Sequence, residues 1–427
     1  MRVFYISFLM LLSTVSIGAQ TLDECRRLAR EHYPEIRQYN LVTRTEQFNV
    51  SNAAKAWIPQ VVLSGQATYQ SAVPAYPEAL KNMMQANGVD MSGTGMNKDQ
   101  YRIAVDVTQN IWDGGQSKAS RAMAEAEAAE QRSRADVSLY DLQSRVDGLY
   151  FGILLLDERM EQTKAMIEVL GSNLSRMRTY HENGVALQSD VDVMEAELLT
   201  AQQQLGQVES SLTSYRRMLE IFIGQSLISD KLERPAMPII QGYTSTRPEF
   251  ALLDAQENRL TAQRRAINSS VMPRFGAFAQ GYYGYPGLDI FKDMTSTEWT
   301  LNGIVGVRML WNISAFYTKN NNLEKINIAQ QQLAVQREIL QFNTRMLTTQ
   351  DDGEIARLRK AVENDARIVE LRRSVRMAAE SQLKNGVIDA TDLLRKITDE
   401  TTAALNRNVH EIELLQAIYK LKHTLNE

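Results

Sequence analysis

The chain has 427 residues, with 47 Lys+Arg against 51 Asp+Glu and a formal net charge of -4 at pH 7, the two signs interspersed. That balance leaves no basic stripe and excludes nucleic acid as a partner, while a single cysteine, Cys25, excludes an intrachain disulfide framework and a cysteine-rich metal site. Only 9 prolines and 22 glycines occur, clustered in a few places, so long uninterrupted elements are expected.

Residues 1–19 begin with Met1 and Arg2, continue as the apolar run Val3 to Leu12 and close on Ser16-Ile17-Gly18-Ala19, the layout of a secretion signal cut after Ala19. This run is shorter than the about 20 apolar residues of a spanning helix, and no later stretch comes near that length. Any membrane crossing then has to be made by strands. Leu22-Asp23-Glu24-Cys25 lacks the small residues that a lipid-attachment site needs, so Cys25 is expected to pack.

Residues 20–223 form a first structural repeat. After an opening helix, the period changes to two over 60–71 and 101–112, which predicts strands. Val61, Leu63, Gly65, Ala67 and Tyr69 alternate with Ser64, Gln66, Thr68 and Gln70, and Tyr101, Ile103, Val105, Val107 and Ile111 with Arg102, Asp106, Thr108 and Asn110. A long helical hairpin over 117–223 follows. Its heptad seam runs from Leu139, Leu142, Val146, Leu149 and Ile153 to Met177, breaks at Asn183-Gly184, and resumes from Val191 and Met194 to Phe222. Unbroken from Ser117 to His181, the first helix has 65 residues and a length of about 98 Å.

Residues 224–246 carry Pro235, Pro238 and Gly242 and read as a linker. Residues 247–427 then repeat the first half. Tyr33-Pro34-Glu35-Ile36 recurs as Arg247-Pro248-Glu249-Phe250, Ile58-Pro59-Gln60 as Met272-Pro273-Arg274, and Trp112-Asp113-Gly114-Gly115 as Trp311-Asn312-Ile313-Ser314. Asn183-Gly184-Val185 recurs as Asn385-Gly386-Val387. The order is the same in both halves, which marks a duplication. Strands are expected over 274–285 and 299–311, with Phe275, Ala277, Ala279, Tyr283 and Tyr285, and Trp299, Leu301, Val305, Val307, Met309 and Trp311, on one face. A second hairpin is expected over 317–422.

Strands of this length fit the roughly 9 to 11 residues of a tilted bilayer-spanning strand, apolar outside and wet inside. Trp57, Trp112, Trp299 and Trp311 all fall at strand ends, as in interfacial aromatic girdles. A half-exposed soluble sheet shows the same alternation; the export signal and the tryptophans favour the membrane. Four strands cannot close a barrel, and an open edge is not tolerated in lipid, so several chains must contribute. Ser71 to Gln100 and Pro286 to Glu298 suit extracellular loops.

The ordered, duplicated motifs, from Thr21-Leu22-Asp23-Glu24-Cys25 to the two Asn-Gly-Val tips, resemble the TolC-like outer-membrane efflux protein family over essentially the whole mature chain. The resemblance implies a mainly α fold with a membrane β-barrel part. It implies a homotrimer in the outer membrane of a Gram-negative bacterium, each chain adding four strands to a twelve-stranded barrel continued by a periplasmic α-helical tunnel. A periplasmic adaptor and an inner-membrane pump of RND or ABC type are its implied partners. The implied role is the passive exit duct of tripartite efflux or type I secretion, with no cofactor.

Site residues follow from the same resemblance. Asn183, Gly184, Val185, Asn385, Gly386 and Val387 are candidate adaptor-contact tips, or turn formers only. Asp392 matches the first acid of a ring that constricts the periplasmic entrance, but the second matching position is Arg395. Asp190 matches a residue that helps hold the closed state, and its usual arginine partner position is Ile388. Asp389 with Asp392, and Ser189 with Asp192, also fit plain capping of the returning helices. Pro59, Pro273, Trp112, Gly114, Gly115 and Trp311 mark strand-helix junctions. An enzyme is poorly supported: His32, His181, His410 and His423 are scattered, and no phosphate-binding loop occurs. The alternative reading is a periplasmic coiled-coil adaptor or scaffold.

Overall fold

A computed structural model describes residues 20–91, 93–228, 231–240 and 242–426. The expected signal peptide, 1–19, lies outside them. In chain order the elements are α1 (Leu22–His32), α2 (Ile36–Lys55), β1 (Gln60–Tyr69), α3 (Glu78–Ala86), β2 (Asp99–Trp112), α4 (Gln116–Glu182) and α5 (Gln188–Ile223). They continue as α6 (Pro248–Ser270), β3 (Arg274–Tyr285), α7 (Ile290–Asp293), β4 (Thr300–Leu310), α8 (Ala315–Lys384) and α9 (Ala390–Leu425). The fold is mainly helical with one small antiparallel sheet. Among the described residues, no helix is long and apolar enough to cross a membrane.

The chain divides into two compact units, and both sequence halves contribute to each. One unit gathers Leu41–Arg132 and Leu253–Val335 and contains the sheet. Its strands are hydrogen-bonded in the order β1-β2-β3-β4, all antiparallel, leaving the outer edges of β1 and β4 unpaired among the described residues. The connections Ser71 to Gln100 and Pro286 to Glu298 are not structureless: α3 forms in the first and α7 in the second. Pro77 pre-sets the chain before α3, and Glu78 places a carboxylate in its first turn.

The other unit gathers Ser133–Leu252, Gln336–Glu427 and the segment ending at Asn40. Thr21 caps α1, its hydroxyl accepting the Glu24 amide at 3.3 Å. Leu22, Cys25 and Ala29 on α1 are fully buried with Val146, Tyr150 and Ile153 of α4, Leu219 of α5 and Ile412 of α9. Each large apolar side chain so buried contributes about 1.5–3 kcal/mol. Burial pushes the Cys25 thiol up to about 12, which makes it an inert packing group. Beside this core, the Arg26 guanidinium donates two bonds, of 2.7 and 2.6 Å, to the Asp147 carboxylate and lies 5.4 Å from the centre of the Tyr419 ring.

The heptad seams fill the cores of the helical hairpins. Leu170, Leu174 and Met177 pack on Val191, Met194 and Ala201 across the first hairpin, with Leu394 of α9 joining the cluster. In the second, Ala379 packs with Leu393 and Ile397. Interhelical ion pairs flank that hairpin: Lys420 with Asp351 at 2.8 Å, Arg372 with Asp399 at 2.8 Å, and Arg376 with Glu400.

Candidate functional site

The sheet has two chemically distinct faces, and the register explains how. Leu63 lies opposite Val105, Ile103 opposite Tyr283, and Ala279 opposite Val305. Antiparallel partners point to the same side, so the odd-numbered positions of all four strands share one face over the shared register. That face is apolar and open to solvent: Leu301 is 82% exposed and Val305 81%, and Val61, Leu63, Ile103 and Val307 are also exposed. Such a continuous apolar surface on an isolated chain marks a site that something else covers. The opposite face carries Ser64, Gln66, Arg102, Asp106, Gln280, Asn302 and Arg308. On it, the Gln280 amide donates to the Asp106 carboxylate at 2.5 Å and Arg308 lies 5.6 Å from the Phe278 ring centre.

Aromatic side chains gather at both ends of the sheet. At one end Trp299 stacks on Tyr101 with centroids 6.4 Å apart and meets Tyr283 at 5.4 Å. At the other, Trp112 meets Phe275 at 5.9 Å, and the Trp311 indole N–H donates to the Val271 carbonyl at 3.0 Å. A bulge creates the Trp112 contact. The register passes from Asn110 opposite Gly276 to Trp112 opposite Phe275, leaving Ile111 as the extra residue. Strict alternation puts Ile111 rather than Trp112 on the apolar face, so the bulge re-aims the last residue of β2.

At the Trp299 end the two connections are tied to each other. The Tyr285 hydroxyl accepts the Asn97 amide at 2.9 Å and donates to the Asp293 carbonyl at 2.9 Å. The Gly95 amide donates to the Met294 carbonyl at 2.9 Å, and the buried Asp293 carboxylate accepts the Gly287 amide at 2.7 Å. The alternation pattern gave no sign of these bonds.

At the junction after β2, the buried Asp113 carboxylate accepts the Gly115 amide at 2.9 Å, the Ser117 amide at 2.7 Å and the Ser117 hydroxyl, and so caps α4. Burial opposes ionisation, but these donors outweigh it and hold the Asp113 carboxyl below its ordinary value. Gly114 has a φ of 67°, and a Cβ there would sit 2.5 Å from the Met272 Cβ beside Pro273. Glycine is required at this point by both conformation and space.

The hairpin tips share one construction. Gly184 and Gly386 have φ of 72° and 70°. The next amide reaches back five residues, Val185 to the Tyr180 carbonyl at 2.8 Å and Val387 to the Gln382 carbonyl at 2.9 Å. This is the Schellman closure, which satisfies the last helical carbonyls. It leaves Val185 77% and Val387 69% exposed, with Leu187 exposed beside the first.

The carboxylates near the tips divide into two kinds. Asp389 is the N-cap of α9, its side chain accepting the Asp392 amide at 2.8 Å. Asp392 itself pairs with Arg395 of the same helix at 3.6 Å. In the first tip the expected Ser189 and Asp192 cap is not the one formed. The cap residue is Leu187, and the Asp190 carboxylate accepts the Leu187 amide at 3.0 Å, because α5 starts at Gln188 and so places Asp190 in its first turn. Among the described residues, Asp190 forms no ion pair.

The described residues thus form a sheet with one exposed apolar face and, in a mainly helical chain, two long helical hairpins with exposed tips. Residues 26–225 match the family model described as outer membrane efflux protein. The fold is similar to that of the outer membrane protein VceC from Vibrio cholerae, with TM-score 0.70 at 14% identity over 95% of each chain. It is similar to the CmeC outer membrane channel of Campylobacter jejuni, with TM-score 0.69 at 12% identity over 96% of this chain and 86% of that one. The open MtrE outer membrane channel of Neisseria gonorrhoeae gives TM-score 0.68 at 15% identity over 95% and 88%. No curated protein matches significantly. Over residues 26–225 the chain matches the outer membrane efflux protein family, and over nearly its whole length it shares the fold of these channels.

Proposed function

We propose that this protein is the outer-membrane exit duct of a tripartite efflux or type I secretion system, conducting small molecules or proteins outward without supplying energy. The observation that carries this reading is the apolar face running across all four strands, with Leu301 and Val305 almost fully exposed. A soluble adaptor has no use for such a face, whereas lipid covers it at no cost. From Trp299 to Trp311, which flank β4, the chain makes 12 steps. At about 3.4 Å each this is about 41 Å, which a tilt of about 45° foreshortens to about 29 Å, close to a hydrocarbon core of about 30 Å.

The unpaired edges of β1 and β4 support a closed assembly of copies, β4 of one chain bonding β1 of the next; the family reading makes this a homotrimer with a twelve-stranded barrel. Within the unit that holds the hairpins, Ile339, Phe342 and Met346, then Ile368, Leu371 and Val375, leave an apolar seam of α8 exposed at three- and four-residue spacing. That is the pattern a coiled-coil neighbour covers.

We read the chain as a signal peptide over 1–19 and two structural repeats, 20–223 and 247–427, joined by a linker over 224–246. The hairpins form the periplasmic tunnel. The tips around Val185 and Val387 contact the adaptor, which connects the duct to the pump, and Asp392, Arg395, Asp190 and Asp389 line the periplasmic entrance. Density-gradient fractionation of the cell envelope tests the location. Recovery with the outer membrane, extractable only by detergent, is the expected result, and recovery in the soluble periplasm would favour the coiled-coil adaptor.

A further inference from the structure

Gln20 is 4% exposed, and both atoms of its side-chain amide, Oε1 and Nε2, are buried with no hydrogen-bond partner. Its backbone carbonyl lies 2.9 Å from the Tyr150 hydroxyl, which is also 2.5 Å from the Glu233 carbonyl. Tyr150 belongs to the apolar core built with Leu22, Cys25 and Val146. A primary amide offers two donors and an acceptor, and leaving all of them dry and unpaired is costly. Native chains rarely leave a buried polar side chain in that state without a reason.

The export signal adds a second cost at the same residue. The cut after Ala19 proposed above makes Gln20 the amino-terminal residue of the mature chain, and adds a protonated α-amine beside that buried side chain. The two costs have one chemical solution, because the α-amine and the side-chain amide of a terminal glutamine are spaced to close a five-membered ring.

We propose that Gln20 is converted to pyroglutamate after export and before the chain folds. The neutral α-amine nitrogen attacks the side-chain Cδ, and a new N–Cδ bond forms as the Cδ–Nε2 bond breaks. The Nε2 group leaves as ammonia, taking up a proton lost by the amine. No oxidant or reductant is involved. The product is a neutral lactam with one N–H and one carbonyl, in place of an ammonium and a primary amide. The charge and the two orphaned donors are removed together. Burial of Gln20 in the folded unit closes the side chain to catalysts, which places the reaction before folding.

The test uses native protein purified from the envelope. Primary amines are labelled in denaturant by reductive dimethylation before digestion, and the amino-terminal peptide is read by mass spectrometry. The expected peptide starts at residue 20, escapes labelling while the lysines of the rest of the chain are fully labelled, and is lighter than the glutamine form by one ammonia, about 17 Da. The Gln20→Ala chain, which has no amide to lose, is expected to carry the label on its terminus. A native terminus that begins at Gln20 and is labelled overturns the proposal, and so does a terminus at any other residue.

Discussion

The Asp389 carboxylate accepts the amide hydrogen of Asp392 at 2.8 Å, while the Asp392 carboxylate lies 3.6 Å from the Arg395 guanidinium. The first acid holds the start of α9, and the second faces solvent with an exposed partner, a pair worth no more than about 0.5 kcal/mol. Asp389→Ala is therefore expected to cost about 1 kcal/mol of stability, seen as a lower melting temperature. Asp392→Ala is expected to leave melting unchanged and to raise single-channel conductance or weaken block by multivalent cations. Unaltered conductance and block would remove Asp392 from the entrance.

The two faces of the sheet predict opposite outcomes for one substitution. Val305 is central in β4 on the apolar face, and Ser64 is central in β1 on the polar face. A lysine facing lipid at mid-depth costs about 2–4 kcal/mol, whereas one facing a wet lumen costs little. Val305→Lys should sharply reduce the amount recovered in the outer membrane, and Ser64→Lys should not. Equal yields for the two would argue that both faces meet water.

The Asp113 cap gives a pH signature. Its folded carboxyl titrates below the unfolded value, so its contribution is present above about pH 4 and is lost as pH falls through the folded value. Asp113→Asn leaves one amide oxygen to serve three donors, and should lower stability by about 1–2 kcal/mol at neutral pH. Melting curves across pH should show the gap between native protein and variant closing in acid. A gap that stays constant with pH would mean that the charge of Asp113 plays no part.

The tips are expected to be contact points. A photo-crosslinking residue at Val387, exposed in the Asn385-Gly386-Val387 turn, should capture a periplasmic adaptor in cells. Capture at a residue on the polar face of the sheet but not at Val387 would contradict the docking role.

Much of this architecture can be read from period alone. Alternation over Val61 to Tyr69 and Leu301 to Met309 shows which side chains share a face, because a strand has no other way to segregate them. Asn-Gly-Val marks both tips because a left-handed φ at a helix end selects glycine. The bulge at Ile111 leaves no compositional trace, and neither does the choice of Leu187 over Ser189 as the cap, since a leucine can hold the position whenever an acid three residues on accepts its amide. The bond of Tyr285 to Asn97 joins segments far apart in the chain, and no local pattern records it.

The central claim is that several copies of this chain close one water-filled duct through lipid. Its most direct test is single-channel recording from detergent-purified protein in a planar bilayer, with chains per particle counted by native mass spectrometry on the same preparation. Three chains per particle and discrete conductance steps are expected. A monomer that leaves the bilayer insulating would contradict the claim.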